Sequence, residues 1–200
     1  MEFVLIGNPN TGKTTFFNAL TKSDNHTGNW HGVTNDISKK EIVHNGKKMC
    51  FYDLPGLYSF SHLGMEEFVA TEYVAKNADK TYLCLCDSEN IERNLYLAIC
   101  MLEKEIKTVL IVNNIKGKST AADFEFLRAF GVPYFLVDPR KKNQIKNLKN
   151  NLENIDENCF KNQINLNYNL GEKQKIIENI LKKYEKNPKN IKKYIFDVFS

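Results

Sequence analysis

Residues 7–14 read GNPNTGKT, and the fold of the whole chain follows from how this stretch is read. It fits G-x-x-x-x-G-K-S/T in full, directly after the apolar run FVLI at 3–6 and before a segment with helical patterning. Its glycines let backbone N–H groups curl around phosphate oxygens, and the helix that follows adds the positive end of its dipole. Gly7, Asn8, Pro9, Asn10, Thr11, Gly12, Lys13, Thr14 and Thr15 are the candidate nucleotide contacts. Lys13 has the reach and charge to span the β and γ oxygens, and Thr14 is the expected Mg²⁺ ligand.

Outward from this loop, apolar β-rich runs alternate with helical patterns. FVLI (3–6), YLCLC (82–86), TVLIV (108–112) and PYFLV (133–137) each precede a helix-period segment. In IERNLYLAICMLEK, Ile91, Leu95, Ala98, Ile99 and Leu102 share one face. This order favours a parallel sheet covered by helices on both sides. Asn45-Gly46, between KKEIVH and KKMCFYD, signals a hairpin with a primed turn and so one antiparallel strand. The expectation is an α/β, Ras-like P-loop GTPase fold with a mostly parallel six-stranded sheet. The domain is expected over 1–156, with a linker at about 157–170 and a small C-terminal helical domain completing 157–200.

Two further segments belong to the phosphate chemistry. Asp53-Leu54-Pro55-Gly56 ends the third strand, where an aspartate reaches a metal through water and the Gly56 amide meets the γ-phosphate. Between the two loops lies HTGNWHGVTND, polar and Gly-rich, in which Gly32, Val33 and Thr34 are the candidate contacts. The Thr34 hydroxyl is placed to close onto Mg²⁺ when a γ-phosphate is present, ordering the segment with the triphosphate. Lys13, Thr34, Gly56 and Asn10 form the candidate catalytic set. Leu57 follows Gly56, so no glutamine stands there to orient the attacking water, and slow intrinsic hydrolysis is expected.

The composition limits other readings. The 200 residues are 42% hydrophobic, enough for one well-buried domain with a small appendage. No apolar run nears the roughly 18 residues of a membrane helix, and no charged-then-apolar leader precedes the first strand. Five cysteines, odd in number and mostly in apolar settings, suit reduced cytosolic thiols. Cys84 and Cys86 alternate along one strand and are expected in the core. His31, His62, Glu66 and Glu67 do not make a metal pattern. Charge is uneven: residues 1–138 carry 14 basic and 17 acidic side chains, residues 139–200 carry 14 and 7. The basic tail reads as solvated Lys-rich helices, with Ile176, Ile177, Ile180, Leu181 and Tyr184 on one stripe.

Taken together, GNPNTGKTTFFNALT, TGNWHGVT, DLPGLYSF and IERNLYL after a Cys-Asp pair resemble the N-terminal cytosolic G domain of the FeoB ferrous iron transporters, over residues 1 to about 155. The resemblance implies a GTPase that binds GTP and GDP with Mg²⁺ and regulates ferrous iron transport. It implies a membrane permease partner, absent from this chain, and a place at the cytoplasmic face of the inner (cell) membrane. A homo-oligomer is a further expectation, and nucleic acid is not an expected partner. It also implies K⁺ beside the phosphates, held by Asn10 with the backbone around Gly28 to Trp30, doing part of an arginine finger's electrostatic work.

The chain departs from this family at the base-reading segments. The family's Asn-x-x-Asp stands here as Asn113, Asn114, Ile115, Lys116. A lysine only donates, so guanine's N1–H and exocyclic amine lose their acceptor. The family's Ser-Ala-Arg loop aligns with Asp138-Pro139-Arg140, and Pro139 has no N–H for guanine's O6. Two readings stay open: other atoms supply the contacts, or the site holds phosphate and Mg²⁺ with weakened base preference. A ribosome- or tRNA-associated GTPase and an interaction module that no longer binds nucleotide are the alternatives. The first lacks any RNA-binding pattern after residue 156, and the second leaves Lys13, Thr14, Thr34 and Asp53 without a role.

Overall fold

The computed structural model describes residues 1–23, 37–60 and 65–163. The expected tail helices and the segment carrying Gly28, Trp30, Gly32, Val33 and Thr34 lie outside the described residues, as do His31 and His62.

Six strands form one sheet: β1 (Glu2–Gly7), β2 (Ser38–His44), β3 (Lys47–Asp53), β4 (Thr81–Asp87), β5 (Thr108–Asn113) and β6 (Tyr134–Val137), in the order β2-β3-β1-β4-β5-β6. All pairs are parallel except β2 with β3, the one antiparallel pair. Asn45 and Gly46, at φ 48° and 79°, make the left-handed turn that joins them, as the Asn-Gly signal predicts. Strand β5 is buried at all six positions, which is why its sequence is a continuous apolar run and not an alternation. At the free edge, β2 exposes Lys39, Lys40 and Glu41, charges that discourage pairing with another strand.

The pleat divides the core into two layers. Val4, Ile6, Cys84, Cys86, Leu110 and Val112 face helices α2 (Met65–Lys76) and α3 (Ile91–Glu103). Phe3, Leu5, Leu83, Leu85, Val109 and Ile111 face α1 (Lys13–Thr21) and α4 (Lys142–Glu153). Cys84 and Cys86 thus pack in the core on one face of β4, and all five cysteines are free thiols. The helical stripe Ile91, Leu95, Ala98, Ile99 and Leu102 is buried throughout. After β5 the chain forms a 3-10 helix over Ala121–Phe130, opened by a capping box in which Thr120 and Asp123 bond reciprocally.

Residues 157–163 pack on this body. Phe160 lies against the α1/α4 core layer, Gln163 Nε2 donates to Ile106 O at 3.2 Å, and Lys107 pairs with Glu157. No helix among the described residues is long and apolar enough to cross a membrane.

Candidate functional site

The carboxyl ends of β3, β1, β4 and β5 lie in that order along one edge of the sheet, where open parallel sheets place their ligand crevices. The GNPNTGKT loop runs from the end of β1 into α1. Asn10 and Gly12 take positive φ, 65° and 81°, and this turns the chain back over the strand end. Thr11 Oγ1 closes the loop on Asn8 O at 2.8 Å. Helix α1 starts at Lys13 with no side-chain cap and no acidic residue in its first turn, so its dipole is offered to an anion. The cradle tolerates no side chain at Gly7, Gly12 or Gly56, and a Cβ at Gly7 would lie 2.9 Å from Leu85 O. A Cβ at Gly12 would lie 2.6 Å from Asn113 Nδ2, and one at Gly56 would lie 2.8 Å from Pro9 Cγ.

Lys13 and Asp53 meet across this cradle, Nζ to Oδ1 at 3.5 Å, with side chains only 11% and 10% exposed. At that distance Asp53 Oδ1 has no hydrogen-bond partner among the described residues. Burial pushes the Asp53 carboxyl above the usual carboxylate range, against the pull of Lys13 and of the Thr14 hydroxyl. A desolvated carboxylate oxygen beside the Thr14 hydroxyl fits a hard divalent cation, and the Lys13 ammonium next to them suits the phosphate oxygens that would accompany it. Leu57 confirms why no side chain follows Gly56 into the cradle. Its N–H donates to Gly7 O at 3.1 Å and its side chain is fully buried in the core.

The base-side loops are tied to themselves. Asn113 reaches back, Nδ2 donating to Thr11 O at 2.9 Å, and so links the end of β5 to the phosphate loop. Asn114 is a loop staple: Nδ2 donates to Ser119 O at 2.8 Å and Oδ1 accepts from Ser119 N at 3.4 Å. In the next loop every amide is already engaged. Asp138 N donates to Gln144 Oε1 at 2.7 Å, Arg140 N to Asp138 Oδ1 at 3.0 Å and Lys141 N to Asp138 O at 3.0 Å. Pro139 has no N–H and is buried. Arg140 bonds Asp138 through Nε and Nη2 and also donates to Ile115 O, riveting the two base-side loops together. These bonds hold the Asp138 carboxyl below its ordinary range.

The structure thus brings Gly7, Asn8, Pro9, Asn10, Thr11, Gly12, Lys13, Thr14, Thr15, Asp53, Leu54, Pro55, Gly56 and Asn113 to one strand-end crevice. Lys116 is exposed and points its ammonium at Glu89, a residue of the β4–α3 turn that the sequence reading did not single out. Twenty-seven residues of chain separate the two, and only the strand register brings them together.

Comparison with known proteins agrees with this geometry. The profile of the family described as "Ferrous iron transport protein B" matches residues 1–152. The Fe(2+) transporter FeoB of Methanocaldococcus jannaschii is 41% identical over 102 residues, 51% of this chain and 15% of that protein. The chain spans a small part of such relatives. The crystal structure of the G domain of the T. maritima FeoB iron transporter superposes with a TM-score of 0.65 at 30% identity, covering 76% of this chain and 96% of that one. NFeoB from S. thermophilus, bound to GDP·AlF4⁻ and K⁺, gives 0.71 at 26% identity, covering 99% and 88%. The phosphate cradle, the six-stranded order and these matches have one reading: the chain belongs to the ferrous iron transport protein B family, as its N-terminal G domain with a Ras-like P-loop GTPase fold.

Proposed function

We propose that this domain binds and slowly hydrolyses GTP as the nucleotide-driven regulatory part of a ferrous iron transporter, at the cytoplasmic face of the membrane that carries its permease. The Lys13–Asp53 pair, buried at the mouth of a glycine cradle with an uncapped helix above it, carries this reading. In it Lys13 neutralises charge on the β and γ oxygens, the α1 amides bind the phosphates, and Thr14 with Asp53 would hold Mg²⁺. That ion supplies charge neutralisation where the leaving group departs. Thr34 and the Gly56 amide complete the γ-phosphate side. Asn10, exposed at the rim with its left-handed backbone, would hold K⁺ together with the segment around Gly28 and Trp30.

Base reading is weakened in this proposal. Lys116 offers no acceptor for guanine's donors, and the loop at 138–141 has no unengaged amide for O6. Each buried group left unpaired costs roughly 1–3 kcal/mol, so guanine affinity is lower than in a site with both contacts. No specific observation favours RNA or ribosome association.

Phosphate release from GTP, measured with Mg²⁺ in potassium and in sodium buffer, tests the reading. Slow turnover that is faster in potassium and lost in Lys13→Ala is expected. No release in either buffer contradicts the hydrolase, and equal rates contradict the potassium role alone.

A further inference from the structure

The turn between β4 and α3 runs against the Asn-x-x-Lys segment. Asp87, the last residue of β4, is in register with Asn113, and Ser88 N donates to Asn113 O at 3.2 Å. Glu89 N donates to Asp87 Oδ1 at 3.1 Å and Asn90 Nδ2 to Asp87 Oδ2 at 2.8 Å, which fixes the course of the turn. Glu89 is thereby held beside the base-side loop. Its carboxylate receives the Lys116 ammonium and lies 3.9 Å from Lys118 Nζ, and its side chain is 34% exposed.

Other described carboxylates at this edge are committed elsewhere. Asp87 accepts within its own turn on both oxygens, Asp138 is filled by Arg140 and its own loop, and Asp123 closes the capping box with Thr120. Glu89 keeps capacity: an ionised carboxylate has about four acceptor positions, and two lysines take at most two. Pairing also changes what Lys116 presents. An ammonium engaged by a carboxylate no longer opposes guanine's donors with an unbalanced charge.

We propose that Glu89 is the base-reading carboxylate of this site, clamped by Lys116 at the rim of the base pocket and accepting from guanine's N1–H and exocyclic amine. The acceptor missing from the Asn-x-x-Lys segment is in this view supplied from the neighbouring strand, with the lysine as its clamp. The proposal rests on the reading above that a nucleotide occupies the crevice.

The test is calorimetric titration with GDP and with ADP, both with Mg²⁺, on the wild type, Glu89→Gln, Lys116→Met and the double variant Glu89→Gln/Lys116→Asp. In the wild type GDP is expected to bind more tightly than ADP. That ratio should fall at least tenfold in Glu89→Gln with ADP affinity unchanged, fall also in Lys116→Met, which releases the clamp, and recover in the double variant, whose aspartate stands in the segment itself. A ratio in Glu89→Gln or Lys116→Met within about twofold of the wild type overturns the proposal. Equal binding of GDP and ADP by the wild type overturns it too, while leaving the phosphate site intact. A wild type that binds neither nucleotide overturns the proposed function as well.

Discussion

Gly12→Ala is the perturbation that probes the cradle most sharply, because two separable costs act at one position. Gly12 sits at φ 81°, a left-handed conformation that costs an alanine about 1–2 kcal/mol. Its new Cβ would also stand 2.6 Å from Asn113 Nδ2, too close for the 2.9 Å bond from that nitrogen to Thr11 O to persist. Losing a buried hydrogen bond and stranding its acceptor adds about 1–3 kcal/mol. Gly46 supplies the control: φ is 79°, and nothing lies within 4 Å of its Cβ position. Gly46→Ala should therefore lose about 1–2 kcal/mol and Gly12→Ala about 2–5 kcal/mol. In urea, with a slope of about 1–3 kcal/mol per molar, the two midpoints should differ by roughly a third of a molar or more. GDP binding should weaken at least tenfold in Gly12→Ala and stay at the wild-type value in Gly46→Ala, since the hairpin tip is remote from the crevice. Equal midpoints for the two variants, or intact GDP binding in Gly12→Ala, would refute the argument that Asn113 and the phosphate loop are one packed unit.

Other expectations follow from single features. Lys116→Asp moves an acceptor into the segment itself, so the preference for GDP over ADP should persist by calorimetry although the clamp on Glu89 is lost. Asn10→Ala should remove any stimulation of GTP hydrolysis by potassium while leaving the sodium rate unchanged, read from phosphate release in the two salts. Asp138→Asn should cost about 1 kcal/mol without nucleotide at pH 7, a modest figure because Arg140 is solvent-exposed. The Asp138 carboxyl titrates below its ordinary range when folded, so its contribution is present above the unfolded value of about 3.9 and disappears as pH falls through the folded value. Denaturant midpoints of wild type and variant should accordingly converge in acid.

Much of this architecture was legible in the sequence for a physical reason. A phosphate loop needs its glycines, lysine and hydroxyl at fixed spacing, the strands leading into it are buried on both faces, and Asn45-Gly46 admits few turns. Each is a local constraint written into adjacent residues. Contacts between distant segments left no such mark. Nothing in the sequence announces that Glu89 meets Lys116, or that Asn114 turns its amide into Ser119, because each depends on sheet register and loop course. Pro139 was readable as a missing donor, yet the engagement of its neighbouring amides by Gln144 and Asp138 required coordinates. The contacts that Phe160 and Gln163 make with the body were likewise unreadable in a polar Asn- and Lys-rich stretch.

Titration of the purified protein with GTP, GDP, ATP and ADP, each with Mg²⁺ in potassium buffer, separates phosphate binding from base reading. All four should bind through their phosphates, guanine should lead adenine by a narrow margin of less than about a hundredfold, and Lys13→Ala should lose all four. Failure to bind any of them would contradict the phosphate site, and guanine binding with no measurable adenine binding would contradict the weakened reading of the base.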